Sequence, residues 1–369
     1  MLQSEAPRHD TNASVTIESL EIYSTCPQSK DVPRDQYLTR VLETARWSEE
    51  IGCTGILIYT DNSILDPWLV AQEILKNTER LAPLVAVQPI YMHPYAVAKI
   101  VTSFAHLYGR RVALNMLAGG FRGDLFALGD PTPHDERYQR TTEYTLIIRK
   151  LLEGTGAVTL EGNYYSVKSL KLTPPLPAGL FPPILMSGSS AAGLAAAETT
   201  GATAVMYPRP VESESEGVLS TTARCGARIG VIARELEGEA WRIANQRFPE
   251  DRRGEITHQL ATRMSDSVWH KQLDELGKSE CIDNVYWLRP YRTYKTFCPY
   301  LVGGYQRVSA EIARYVDAGF RTFILDIPDS REELLHTKAV FDLALDLLNS
   351  GARQYEQESS CDPGRERSG

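Results

Sequence analysis

Residues 183–200 read PILMSGSSAAGLAAAETT. A short run with no polar alternation ends in Ser187-Gly188-Ser189-Ser190, and an alanine-rich helical segment begins at once. A strand apolar on both faces that feeds directly into a helix is the step from which buried parallel sheets are built. The same step recurs on both sides. Strand-like runs fall at 15–23, 55–60, 84–88, 111–117, 183–187, 202–206, 228–233 and 320–326, eight in all. Helical periodicity separates or follows them at 35–51, 67–79, 95–108, 136–153, 190–200, 238–247, 306–319 and 331–348. In 136–153 the stripe Tyr144, Ile147, Ile148, Leu151, Leu152 is followed by Gly154, a residue suited to the left-handed cap. Eight alternations predict an α/β fold, a single (β/α)8 TIM barrel with insertion segments. An open doubly wound sheet is the alternative that periodicity leaves standing.

Three segments break the repeat. Residues 118–135 are rich in Gly, Pro and Asp, residues 157–172 read as a hairpin turning at Gly162-Asn163, and 250–304 is a long mixed insertion. The barrel domain is expected to span 15–349, between polar tails at 1–14 and 350–369 that read as disordered.

Composition narrows the function classes. The chain has 369 residues, 43% hydrophobic, with 39 Lys plus Arg against 47 Asp plus Glu, a formal charge of −8. A net acidic chain without a basic run offers no electrostatic footprint for nucleic acid. No apolar stretch approaches the roughly 20 residues of a membrane span, and the first residues lack a signal-peptide core. A cytoplasmic protein with no membrane partner is expected. The cysteines at 26, 53, 225, 281, 298 and 361 show neither CxxC nor a nearby histidine, so no metal site is expected and Cys53 and Cys225 read as core residues. No Ser-His-Asp order, HExxH, Walker or GxGxxG pattern is present.

Chemistry-bearing residues concentrate after the strands. At 187–190 a helix start supplies N–H groups and a positive dipole end, Gly188 permits close approach, and Ser189 and Ser190 add hydroxyls; together they suit an anion. One of the serines could instead be an ordinary N-cap. Asn115 sits at the end of an apolar strand, where a buried amide needs a partner. His134 and Tyr138 are candidate ligand contacts, with Asp135 expected as the N-cap of the helix they open. Arg228 begins the seventh strand. An aromatic–basic loop, Tyr286 to Lys295 with Arg289 and Arg292, could close over an anionic ligand or be an ordinary solvated loop.

Taken in order, VAVQPIYMHPYAVAK, RVALNMLAGGF, PHDERYQRTTEY, LEGNYYSVKSL, PPILMSGSSAAG and RELEGEAWRIA resemble the bacterial luciferase-like flavin-dependent monooxygenases, nearest the alkanesulfonate monooxygenase branch. The resemblance implies reduced FMN (FMNH2) at the C-terminal mouth of a barrel. It implies O2 as co-substrate, activated at the flavin C4a carbon, with one oxygen atom transferred. A separate NAD(P)H:flavin reductase and a homodimer or homotetramer are implied as well. Gly188, Ser189, Ser190 and Tyr138 would hold the FMN phosphate, Asn115 and Thr60 would lie by the ring, and Arg228 and Arg292 would be the catalytic arginines.

The likeness has gaps. The branch carries Arg-x-His in strand seven, and here Arg228-Ile229-Gly230 keeps only the arginine. Its cysteine after strand two is Ile64, and its tyrosine after the last strand is Ile327. Three lost polar groups argue against desulfonation and for another substrate, a free small molecule or a group on a carrier, in specialised metabolism. Two other readings stay open: an F420-dependent hydride-transfer oxidoreductase on the same barrel, and a catalytically silent barrel acting as a binding or partner subunit.

Overall fold

The computed structural model describes residues 19–211, 221–264, 273, 276, 281–282 and 285–360. From the amino end, β1 (Glu21–Thr25), α1 (Arg34–Glu50), β2 (Gly55–Ile58), α2 (Pro67–Asn77), β3 (Ala82–Val87), α3 (Pro94–Tyr108) and β4 (Ala113–Met116) repeat the strand–helix step. Helices α4 (Arg122–Ala127) and α5 (His134–Glu153) and the hairpin β5 (Val158–Glu161) and β6 (Ser166–Leu170) interrupt it. The step resumes with β7 (Ile184–Ser187), α6 (Ala191–Thr200), β8 (Thr203–Met206), β9 (Cys225–Arg234) and α7 (Glu237–Arg247). The insertion contributes α8 (Arg252–Met264), β10 (Cys281–Ile282), β11 (Tyr286–Trp287), α9 (Arg289–Arg292) and β12 (Tyr300–Gly304). Helix α10 (Tyr305–Asp317), β13 (Phe320–Leu325) and α11 (Arg331–Ser360) complete the described chain.

Strands β1, β2, β3, β4, β7, β8, β9 and β13 pair in parallel around a closed circuit, because β9 joins β8 on one side and β13 on the other. Closure settles the choice against an open sheet. All eight expected strands are present, most of them buried along their whole length. The first begins at Glu21 among the described residues, so its expected start at 15–18 lies outside them. Hairpin β5–β6 turns where the sequence placed the turn, and Glu143 of α5 pins it by accepting from the backbone N–H groups of Asn163, Tyr164 and Tyr165. Gly154 caps α5 at φ 65, a left-handed conformation.

One local expectation fails. The N-cap of α5 is Pro133, without a side-chain cap bond, and Asp135 lies inside the first turn beside His134. Thr132 and Asp130 do the work ahead of the helix: Asp130 Oδ1 accepts from Thr132 N, and Oδ2 takes Arg140 at 2.6 Å. Helix α11 also runs to Ser360, beyond the expected domain end at 349. The expected tail residues 1–14 and 361–369 lie outside the described residues.

The interior of the barrel is layered by the two-residue period of its strands. A floor of Tyr23, Leu57, Leu84, Ala113, Leu185, Val205 and Ile324 forms one cluster, a residue from each of seven strands. Outside the barrel wall, Ile56, Val85, Leu114, Met186, Ala204 and Phe323 meet the helices in the main core. Cys26, Cys53, Cys225 and Cys298 are buried. Burial raises the Cys53 thiol to about 12, which suits packing and opposes nucleophilic use. Among the described residues no three metal-ligating side chains cluster, and no helix is long and apolar enough to cross a membrane.

Candidate active site

Two residues beyond each floor position, the same face of the strand reaches the next layer. Leu57 leads to Tyr59, Leu84 to Ala86, Ala113 to Asn115, Leu185 to Ser187 and Val205 to Tyr207, and all five of these upper residues line one cavity of about 490 Å³. Arg228 of β9 lines it too. These are the C-terminal ends of the strands, where barrel enzymes place their chemistry. Loops after β1, β2, β4 and within the insertion supply the rim, including Lys30, Asp61, Asp124, Tyr294 and Phe297.

One wall is the β7–α6 turn. Gly188 has φ 149, and a Cβ there would stand 2.0 Å from the Tyr138 hydroxyl. That hydroxyl donates to Ser187 O at 3.1 Å, so Tyr138 braces the turn from beneath, and burial raises its phenol to about 12. Ser187 Oγ donates to Asn115 Oδ1 at 2.8 Å, which gives the buried amide its partner. The ordinary cap falls on Ser190, whose Oγ accepts from Gly193 N at 3.1 Å. Ser189 is left with a buried Oγ that has no hydrogen-bond partner. A buried orphan hydroxyl is costly unless something accepts from it. An orphan donor, a turn too tight for a side chain and a helix start together fit a phosphate monoester. His134 stands beside this wall, its ring 5.2 Å from that of Tyr138 and its Nδ1 2.6 Å from Asp135 Oδ1.

Arg228 lines the cavity from β9, which β8 separates from the β7–α6 turn. Its guanidinium lies over the rings of Tyr59 at 4.8 Å and Tyr207 at 5.9 Å, and Asp326 Oδ1 stands 3.9 Å from Nη2. Nε and Nη2 are buried and have no hydrogen-bond partner. At the rim, burial and the neighbouring Asp61 carboxylate raise the carboxyl of Asp124, with Lys30 opposing.

The structure therefore brings Thr60, Asn115, His134, Tyr138, Gly188, Ser189, Ser190 and Arg228 to one cavity. Arg292 is not brought there. It closes the short helix α9, and the same loop reaches the cavity through Tyr294 and Phe297 instead. Sequence reasoning also missed Tyr59, Tyr207 and Asp326. The signal was available: each stands one residue past a strand end, where the two-residue step from the floor puts Tyr59 and Tyr207 on the cavity and Asp326 beside Arg228.

Residues 20–322 match the family described as luciferase-like monooxygenase. The 4-(gamma-L-glutamylamino)butanoyl-[BtrI acyl-carrier protein] monooxygenase BtrO of Niallia circulans is 35% identical over 333 residues, spanning 88% of this chain and 97% of that protein. That relative is not named for a sulfonate, so the alkanesulfonate branch expected from the sequence is replaced by the family as a whole. Among solved structures, EDTA monooxygenase from Chelativorans sp. BNC1 superposes with a TM-score of 0.68 at 16% identity, covering 90% of this chain and 94% of that one. An F420-dependent secondary alcohol dehydrogenase superposes at 0.60 with 17% identity, covering 88% and 99%. At such identities these two likenesses speak to the fold alone.

Proposed function

This chain belongs to the luciferase-like monooxygenase family and is a flavin-dependent monooxygenase, and on that premise we propose that it uses reduced FMN and O2 to hydroxylate an acyl chain carried as a thioester on an acyl-carrier protein. The observation that carries the FMN part is the buried, unpartnered Ser189 hydroxyl on a turn where Gly188 leaves no room for a side chain. The carrier-bound substrate rests on the BtrO-like relative, whose printed substrate is such an acyl group.

In this reading Ser189 and the first-turn amides of α6 hold the phosphate, with Tyr138 keeping the turn in shape. Asn115, fixed by Ser187, bounds the ring system together with Thr60. When bound, the reduced flavin supplies the two electrons that turn one oxygen atom into water while the other enters a C–H bond of the substrate. Tyr59 and Tyr207 wall the cavity against water, and Arg228 presents N–H donors to a substrate oxygen. No dinucleotide fingerprint is present in the chain, so we assign flavin reduction to a separate NAD(P)H:flavin reductase. A homodimer or pair of dimers is proposed from the family likeness, to be read by light scattering.

Anaerobic titration tests the cofactor. Chemically reduced FMN should bind with a Kd below about 50 μM, a common range for an exchanged small ligand. Addition of oxygen should then add the mass of one oxygen atom to a carrier-bound 4-(γ-L-glutamylamino)butanoyl group. Absence of flavin binding, or tighter binding of F420 with turnover in the absence of oxygen, overturns the reading.

A further inference from the structure

Position 230, where the resembled branch carries the histidine of Arg-x-His, is a glycine with no room to be anything else. A Cβ on Gly230 would stand 2.3 Å from the ring of Tyr300. Tyr300 pairs with Gly230 in the β9–β12 register, so its ring comes in from the neighbouring strand and fills the space above the glycine. The ring is fully buried, edge-on to Phe248 at 5.0 Å, with the Arg247 guanidinium 6.0 Å from its centroid.

The hydroxyl of Tyr300 donates to Asp326 Oδ2 at 2.8 Å. The other carboxylate oxygen, Oδ1, faces Arg228 Nη2 at 3.9 Å, beyond hydrogen-bond distance. Asp326 is anchored from its own backbone, whose N–H donates to Ile229 O at 3.0 Å. A mostly buried guanidinium and carboxylate so close together ordinarily collapse into direct N–H···O contact at about 2.8 Å. Here they do not: a side-chain hydrogen bond links Arg228 to Cys298, but its Nε and Nη2 make no hydrogen bond within the protein.

We propose that Tyr300 is a positioning residue: by engaging Asp326 it keeps that carboxylate from closing onto Arg228, so that the guanidinium remains turned to the cavity and takes a carbonyl or carboxylate oxygen of the acyl substrate. The glycine and the tyrosine form one device, because any side chain at 230 would evict the ring. The identity of the acceptor rests on the carrier-bound acyl reading; the arrangement of Tyr300, Asp326 and Arg228 does not.

The test compares crystal structures and steady-state kinetics of the wild type, Tyr300→Phe, Asp326→Asn and the double variant. 4-(γ-L-glutamylamino)butanoyl pantetheine serves as probe. Tyr300→Phe keeps the ring and removes the bond. Its Asp326–Arg228 separation should contract from 3.9 Å to direct contact. KM for the probe should rise about tenfold, the worth of one charge-assisted hydrogen bond, with the Kd for reduced FMN unchanged. Asp326→Asn in that background should bring KM back to the value of Asp326→Asn alone, since no carboxylate remains to capture the arginine. A merely structural role predicts no such rescue. An unchanged separation in Tyr300→Phe, or a double variant no better than the single one, overturns the proposal. Should Tyr300→Phe not fold, Gly230→Ala dislodges the same ring and carries the same expected contraction. If the wild type ignores the probe, the acyl reading falls, and the measured separation still decides the role of Tyr300.

Discussion

On the α6 side of the cavity, Ser187, Gly188, Ser189 and Ser190 follow one another along the chain, and His134, Tyr138 and Asn115 join them from elsewhere. On the β9 side, Arg228 meets Tyr59, Tyr207 and Asp326, residues from three other strand ends, with Tyr300 of the insertion behind them. The first wall is a local motif braced by two long-range bonds. The second exists only because the barrel closes. Both leave buried donors without partners, Ser189 Oγ on one wall and Arg228 Nε and Nη2 on the other. A cavity with unsatisfied donors at two separate places on its lining is suited to two oxygen-bearing groups at once, which is what a flavin phosphate and an acyl substrate require.

The comparison can be broken in order of expected effect. Gly188→Val should abolish measurable flavin binding, because the new side chain must enter the space of the Tyr138 hydroxyl at a φ that L residues rarely adopt. Flavin titration checks it, and retained binding would move the phosphate to another place. Arg228→Met should leave flavin affinity intact and lower kcat/KM about a hundredfold, as expected when a charged donor pair is lost. Equal loss of both quantities would mean that the two walls are not separate. Ser189→Ala should weaken flavin binding about tenfold with no loss of thermal stability, since the hydroxyl has no partner within the protein. Arg292→Ala should alter neither measurement by more than about twofold, the ordinary range for a residue that touches neither ligand.

A control on stability sits apart from both walls. Burial pushes the Asp130 carboxyl up, but bonds from Arg140 and Thr132 outweigh it and hold the group below its ordinary range. Its folded value is therefore depressed, so the contribution is full above about pH 4 and is lost as pH falls through the folded value. Asp130→Asn should cost about 3 kcal/mol at neutral pH, and less in acid, by leaving Arg140 without its charge partner. Denaturant unfolding across that pH range reads both the size and the sign.

The sequence made the barrel legible because buried parallel strands announce themselves by unbroken apolar runs, and every run but 202–206 was followed by a helix of clear period before the next. It exposed the β7–α6 turn for a similar reason: Ser187 to Ser190 lie within four consecutive positions, so spacing and chemistry are read together. Asp135 was misjudged as a cap because Pro133, two residues earlier, already sets the helix start, a backbone constraint that outweighs side-chain preference. Arg292 closes a four-residue helix and does not line the cavity, which charge and spacing along the loop do not reveal.

What the amino-acid order determined unaided was the alternation of eight strands and helices, the tight glycine turn with its serines, and Arg228 in the seventh strand. Only the closed barrel decided that Tyr59, Tyr207 and Asp326 surround that arginine, and that the gap left at Gly230 is filled by a ring lying 70 residues further along the chain. The physical reason is range. Hydrophobic period and turn chemistry act between neighbours in the sequence, whereas the partners of a buried charge are chosen by which strand ends the closure brings together.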